Sequence, residues 1–175
     1  LSAEAFDALA SRDCPPLAEA GIRIRYNTRV IRYPADWSQP LKVHDRLDTR
    51  VSILKIHPGI TPEVVTVFLL APEIRAVILE TYGSGNAISR PWFLSLVRTA
   101  GLSKVVVNVT QCKSGSVNMD IYATGKTLKL AGVVSGHDIT TEAALGKLFV
   151  LLGLYEDNEQ VKNRFGTDFI GEISK

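Results

Sequence analysis

The chain lacks any run approaching the ~20 consecutive apolar residues that a bilayer-spanning helix needs, so no segment is expected to cross a membrane. It also lacks a basic cluster. Twenty Lys and Arg against eighteen Asp and Glu leave a formal charge of +2, which argues against nucleic acid and membrane surfaces as partners. Cysteine is scarce: Cys14 and Cys112 are too few for a disulfide framework and fit a reducing compartment. No spacing of His, Cys and carboxylates matches a metal site, so neither a metal nor a cofactor is expected. A secretory leader is not expected either, because Glu4 and Asp7 interrupt Leu1 to Ala10 and no basic residues precede them. Methionine occurs once, at Met119, and the chain opens at Leu1, which a trimmed tag, a fragment or a processed product would each explain.

What is present is 46% apolar residues, enough for a buried core, in a length that suits one domain or one domain and part of another. The first ~40 residues differ in rhythm from the rest. Cys14-Pro15-Pro16-Leu17 reads as rigid extended punctuation, and Ile22 to Tyr26 alternates apolar and basic residues as a half-exposed strand does. Pro34, Pro40 and the polar stretch Asp36 to Asp48 read as a crossing linker.

From residue 51 strands and helices alternate. Val51 to Ile56, Ala76 to Leu79, Lys104 to Val109 and Val133-Val134 read as strands, the second and third apolar enough to be buried on both faces. Helices are expected from Thr61-Pro62, with Thr61 as N-cap, from Pro91 to Ala100 with Gly101 as its stop, and around Thr127 to Ala131. Further helices are expected from Glu142 to Leu152, capped by Asp138, Thr140 or Thr141 and ended by Gly153, and from Asn158 to Phe165. This rhythm predicts an α/β fold, a small parallel sheet with helices on both faces. Ligands of such sheets bind beyond the carboxyl ends of the strands. The expected rim is therefore built from Glu80 to Asn86, Thr110 to Gly115 and Ser135 to Thr141.

Spacing yields little self-contained chemistry on that rim. Gly83-Ser84-Gly85 follows a strand as a dinucleotide fingerprint would, but the third small residue it needs is Ile88. Gly125-Lys126-Thr127 resembles the end of a phosphate loop whose first glycine would be Asp120, an anion in the cradle. Cys112 has His137 on the neighbouring loop as a conceivable base, though nothing in the spacing requires the pairing. Ser135, His137 and Asp138 lie too close in sequence to converge as a triad, and Asp138 is better read as a helix cap or a ligand-orienting carboxylate.

Several blocks, in order and nearly end to end, resemble the type I (cytoplasmic) L-asparaginases. Leu79 to Ala87 resembles their YG-x-GNAP loop, and Val107 to Cys112 with Gly115 to Asn118 their VNLTQC block. Tyr122 to Gly125 resembles YATG, Gly136 to Leu145 the G-x-DMT block, and Gly171-Glu172 the terminal GE. The wording with Ser84 is most similar to animal asparaginase and lysophospholipase-type members. The resemblance implies residues 1–33 as the end of an asparaginase N-terminal domain, 34–50 as a linker and 51–175 as the C-terminal domain. It implies hydrolysis of L-asparagine to aspartate and ammonia by a Thr nucleophile, a second Thr and an Asp–Lys pair.

Those catalytic residues belong to the family's N-terminal domain, so no catalytic residue is expected in this chain. Its implied partners are L-asparagine, that N-terminal domain and further copies of itself in a homodimer or homotetramer. Asn86, with Ser84 and Gly85, is the implied substrate-binding element, reaching into the active site of a partner subunit. Cys112 matches a cysteine used at an allosteric asparagine site, where Glu80 stands in place of the expected arginine. Two alternatives share these residues: an asparaginase-like subunit of a tRNA-dependent amidotransferase, and a non-catalytic asparagine-sensing module.

Overall fold

A computed structural model describes residues 15–174; Cys14, the segment before it and Lys175 lie outside the described residues. The chain divides into two units, Leu1–Val43 and His44–Lys175.

Within the first unit, β1 (Ala18–Ala20) pairs antiparallel with β2 (Ile24–Tyr26), Ala18 opposite Tyr26, and the Asn27 amide closes the hairpin on the Leu17 carbonyl at 2.8 Å. The expected Ile22–Tyr26 strand is thus shorter by two residues, because Gly21 to Arg23 form the turn. Leu17, Ile22, Ile24 and Tyr26 are all exposed.

The second unit is a four-stranded, wholly parallel sheet in the order β3 (Val51–Lys55), β4 (Ala76–Thr81), β5 (Val105–Thr110), β6 (Val134–Ser135). Its helices are α1 (Pro62–Leu70), α2 (Pro91–Ser103), α3 (Ala123–Leu130), α4 (Thr141–Leu154) and α5 (Asn158–Phe165). Strand periodicity decides the layers. Val77 and Leu79 point into one core with Val65, Leu69, Phe93, Val97 and Leu128 from α1, α2 and α3. Ala76 and Ile78 point into the other, with Ala144, Leu148, Leu151, Val161 and Phe165 from α4 and α5. The expected α/β sheet covered on both faces is therefore the fold.

The caps follow ordinary backbone chemistry. Thr140 caps α4, its hydroxyl accepting from the Ala143 amide at 3.2 Å, and Asp157 caps α5 by accepting from Glu159 at 3.1 Å. Arg75 closes the far end of α4. Its guanidinium donates to the Leu152, Tyr155 and Glu156 carbonyls at 3.0, 3.3 and 2.9 Å and to Asp48 at 3.1 Å. Hydrogen bonds from Arg50 hold the Asp48 carboxyl far below the usual carboxylate range despite its burial.

Two expected helix stops are corrected. Gly101 lies inside α2, which runs on to Ser103, and Gly153 lies inside α4, which runs on to Leu154. Neither has the positive φ of a terminating glycine. Both permit a close backbone approach instead. A Cβ at Gly101 would overlap the Ala131 carbonyl oxygen, and one at Gly153 would lie 2.6 Å from the Arg46 carbonyl carbon.

Candidate functional site

Because all four strands run the same way, their carboxyl ends deliver three loops to one rim, as the alternation predicts. The first, Tyr82 to Asn86, is a tight turn in which the Tyr82 amide donates to the Asn86 carbonyl and the Asn86 amide returns to Tyr82, both at 2.8 Å. Gly83 and Gly85 have φ of 51° and 104°, a region that side chains disfavour. At Gly85 an added Cβ would also meet the Val117 side chain at 2.8 Å.

A buried polar cluster sets the height of this turn. Asn108 is fully buried in the middle of an otherwise valine-rich strand, where an unpartnered amide would be costly. It accepts from the Thr81 hydroxyl at 2.6 Å and donates to the Gly85 carbonyl at 3.1 Å. Thr110 donates to the Gly83 carbonyl at 2.6 Å, and the Asn118 amide donates to the Ser84 carbonyl at 2.9 Å. Three consecutive carbonyls of the loop are thereby engaged from β5 and from the segment after it.

Replacing Asn108 with Ala is expected to strip the Gly85 carbonyl of its donor while the Thr81 hydroxyl falls back on the Val109 carbonyl, at a cost of about 2–3 kcal/mol. Urea denaturation would read the loss, and Asn108→Asp, which keeps the acceptor but not the donor, should not recover it.

The Asn86 side chain is half-buried at the end of the turn. Its Oδ1 accepts from the Thr124 hydroxyl at 2.8 Å, fixing the amide's orientation from the start of α3. The Nδ2 group, held at the other side of that amide, carries two N–H donors. Ser84 and Gly85 contribute backbone to this arrangement, Ser84 half-buried and Gly85 buried.

Cys112 begins the second loop and its thiol is free and exposed. The Cys112 amide donates to Thr110 at 3.0 Å. Glu80 is committed elsewhere, accepting from the Thr141 hydroxyl at 2.6 Å, with the Lys55 ammonium 3.9 Å away. Its backbone carbonyl takes the Gln111 side-chain amide at 2.8 Å.

The third loop carries His137, whose φ of 55° is left-handed without being glycine. Its amide donates to the Ser135 hydroxyl at 3.2 Å and its carbonyl accepts from the Val117 amide at 2.7 Å. No hydrogen bond joins Cys112 to His137 among the described residues. Asp138 caps no helix: its carboxylate accepts from the Ser174 amide at 2.9 and 3.2 Å. Burial would raise the Asp138 pKa, but those bonds outweigh it and hold the group below its ordinary value.

Asn108 and Thr124 lie inside the family-like blocks, where the sequence assigns neither a role. For Asn108 the signal was a lone amide within Val105 to Val109; for Thr124 there was none, since only the fold brings α3 to Asn86. Among the described residues no group of His, Cys, Asp and Glu is arranged to hold a metal ion, and no helix is long and apolar enough to cross a membrane. A larger hollow, about 980 Å³, lies at the amino ends of the strands, away from this rim. On its lining Asp48 pairs with both Arg50 and Arg75, at 2.7 and 3.1 Å.

Comparison with known proteins places these elements in a wider setting. The glutaminase/asparaginase C-terminal domain family matches residues 50–165. L-asparaginase 1 of Escherichia coli (strain K12) is 43% identical over 174 residues, 98% of this chain and 50% of that protein. The 60 kDa lysophospholipase of Mus musculus is 39% identical over 154 residues, 87% of this chain and 27% of that protein. The crystal structure of L-asparaginase I from Vibrio cholerae O1 biovar eltor superposes with a TM-score of 0.85 at 41% identity, covering 95% of this chain and 50% of the other. The chain thus spans half the length, or less, of these relatives.

Proposed function

This chain belongs to the glutaminase/asparaginase C-terminal domain family, and from that premise we propose that it forms part of an L-asparaginase hydrolysing L-asparagine to L-aspartate and ammonia. Its share of the work is to hold substrate and to join subunits. The Thr nucleophile and the Asp–Lys pair come from the rest of an N-terminal asparaginase domain, of which this chain holds only the end. Residues 1–33 are the end of that domain, 34–50 the linker and 51–175 the C-terminal domain; the division between Val43 and His44 falls inside that linker. The enzyme works as a homodimer or homotetramer in the reducing cytoplasm, and Asn86 of one subunit completes the pocket of another.

The observation that carries this reading is the fixed amide of Asn86. With Oδ1 taken by Thr124 and the turn clamped through Gly83, Ser84 and Gly85, the Nδ2 donors are preset for a ligand without rotamer search. An asparagine substrate offers a carboxylate as the matching acceptor, and a preset donor lowers the ordering cost of binding. Cys112, exposed on the adjacent loop, is the proposed regulatory contact. Because Glu80 is a carboxylate, asparagine is expected to bind there weakly.

The test uses the enzyme assembled with its nucleophile-bearing domain. Asn86→Ala is expected to raise KM for L-asparagine about tenfold or more with a smaller change in kcat, the pattern of lost ground-state binding. Asn86→Asp should be worse, since it sets carboxylate against carboxylate. Unchanged kinetics in both variants would remove Asn86 from the site. The 175-residue chain by itself is expected to show no turnover, and measurable hydrolysis by it would overturn the division of labour. Calorimetry with L-asparagine on Cys112→Ala separates an asparagine-sensing role from a catalytic one.

A further inference from the structure

Residues 166–174 fold back across α4 and reach the rim. After Phe165 the backbone passes Thr167, whose carbonyl accepts from Lys147 at 2.5 Å. It turns at Gly171, where φ is 104° and the amide donates to Asp168 at 2.8 Å. Glu172 then enters the interior. Its side chain is 7% exposed and that of Lys147 4%; the carboxylate meets the ammonium at 2.6 Å and also accepts from the Phe169 and Ile170 amides. Ile173 is buried beside it, and the Ser174 amide reaches Asp138.

Asp138 follows directly on the least relaxed residue of the rim. A non-glycine residue in the left-handed region persists only where its surroundings dictate it, at a cost of about 1–3 kcal/mol. On one side His137 is pinned through Ser135, whose hydroxyl also donates to the Val117 carbonyl at 3.2 Å. On the other side the hold is Asp138, and through it the tail.

From His137 the contacts run to the substrate turn without a gap. The Val117 amide donates to the His137 carbonyl, the Val117 side chain lies against Gly85, and the Asn118 amide donates to the Ser84 carbonyl. Gly136 abuts the Asn108 carbonyl, to which its own amide donates at 2.8 Å.

We propose that the 166–174 tail is a strap that positions the substrate turn, with Asp138 as the positioning residue that transmits its hold. The Lys147–Glu172 pair anchors the strap, Ser174 ties it to Asp138, and His137, Val117 and Asn118 pass the constraint to Ser84 and Gly85. The functional part of this inference rests on the reading of Asn86 as the substrate-holding group; the mechanical part does not.

The experiment is amide hydrogen exchange on the 175-residue chain. Asp138→Ala removes the acceptor, and Ser174→Pro removes the donor while leaving every side chain of the loop in place. Both are expected to speed exchange at Val117 and Asn118 by about tenfold or more, with a smaller rise at Gly85 and Asn86 and none at Val106 or Val107. Asp138→Asn, which keeps an oxygen for Ser174, should restore the slow exchange.

Acceleration confined to the Ser174 amide would overturn the strap, and so would an even rise that included Val106 and Val107. In the assembled enzyme Ser174→Pro should raise KM for L-asparagine with kcat little changed. Turnover that is absent from the unaltered assembly fails the reading of Asn86, whereas the exchange pattern alone decides the strap.

Discussion

Replacing Lys147 with Met is expected to cost about 3–5 kcal/mol of folding stability, read as a lowered midpoint of urea denaturation. Lys147 sits on α4 with its ammonium between the rings of Phe165 and Phe169, 5.1 and 5.0 Å from their centroids, and against Glu172. Burying two charges is costly, and their attraction offsets that cost only when every remaining donor and acceptor is used. Here Thr167, Phe169 and Ile170 complete the set.

The variant leaves Glu172 buried without its cation, which is what makes the loss large. Lys147→Met combined with Glu172→Gln should recover most of it, because Gln still accepts from the two amides. Lys147→Met with Glu172→Leu should recover less. A loss below about 1 kcal/mol in the single variant would show that Glu172 escapes to water.

The same pair sets an acid limit. Burial alone would raise the Glu172 pKa, but the Lys147 hydrogen bond and the Ile170 and Phe169 amides outweigh it and hold the group below its ordinary 4.5. A carboxyl depressed in the folded state contributes stability that is fully present above that ordinary value. The contribution is lost as pH falls through the lower folded value. Asp138 shifts in the same direction. Stability should therefore fall on acidification below about pH 4.5, and less steeply in Glu172→Gln.

Two glycines of α4 should respond to alanine with opposite signs. Alanine is the better helix former by about 1 kcal/mol, so Gly146→Ala, where an added Cβ meets nothing within 4 Å, should stabilise by up to that amount. At Gly153 the same methyl would strike the Arg46 carbonyl and come within 3.1 Å of the Leu47 Cα. Backbone cannot rotate aside as a flexible side chain can. The 46–48 segment would have to lift, straining the bond from the Asp48 amide to the Phe149 carbonyl and the Asp48–Arg75 pair. Gly153→Ala is expected to destabilise by about 1–3 kcal/mol, and thermal unfolding of the two variants side by side would decide it. Equal shifts in the same direction would remove the close approach.

That contrast marks the limit of what periodicity could reveal. The short, nearly continuous apolar runs of Ala76 to Leu79 and Lys104 to Val109 showed both which segments are strands and that each is covered on two faces. The helix expected from Asn158 to Phe165 is α5 on its observed bounds. At Gly101 and Gly153 the local rule, glycine as a helix stop, lost to a contact with residues thirty or more positions away. No neighbour in sequence reports such a contact.

The rim was legible because a parallel sheet sends all its strand-to-helix loops to one edge, the carboxyl ends of the strands. The identity of Asn86 came from motif resemblance, and its clamp was not legible at all. Thr124 lies thirty-eight residues further on. The tail shows the same limit: Gly171-Glu172 was recognisable as wording, while its partner Lys147 reads in sequence as one more helical lysine.

The open sheet has a consequence for the chain in a crowded solution. Its two outer strands, β3 and β6, leave backbone groups that a strand from another molecule could pair with. On the β6 side only Val134 and Ser135 are available, too short a template for a stranger to lengthen. On the β3 side the template is five residues long, Ile53 is 37% exposed on it, and its last residue is Lys55. An incoming strand would have to desolvate that ammonium. Protection from runaway edge pairing therefore rests on brevity at one border and on a single charge at the other.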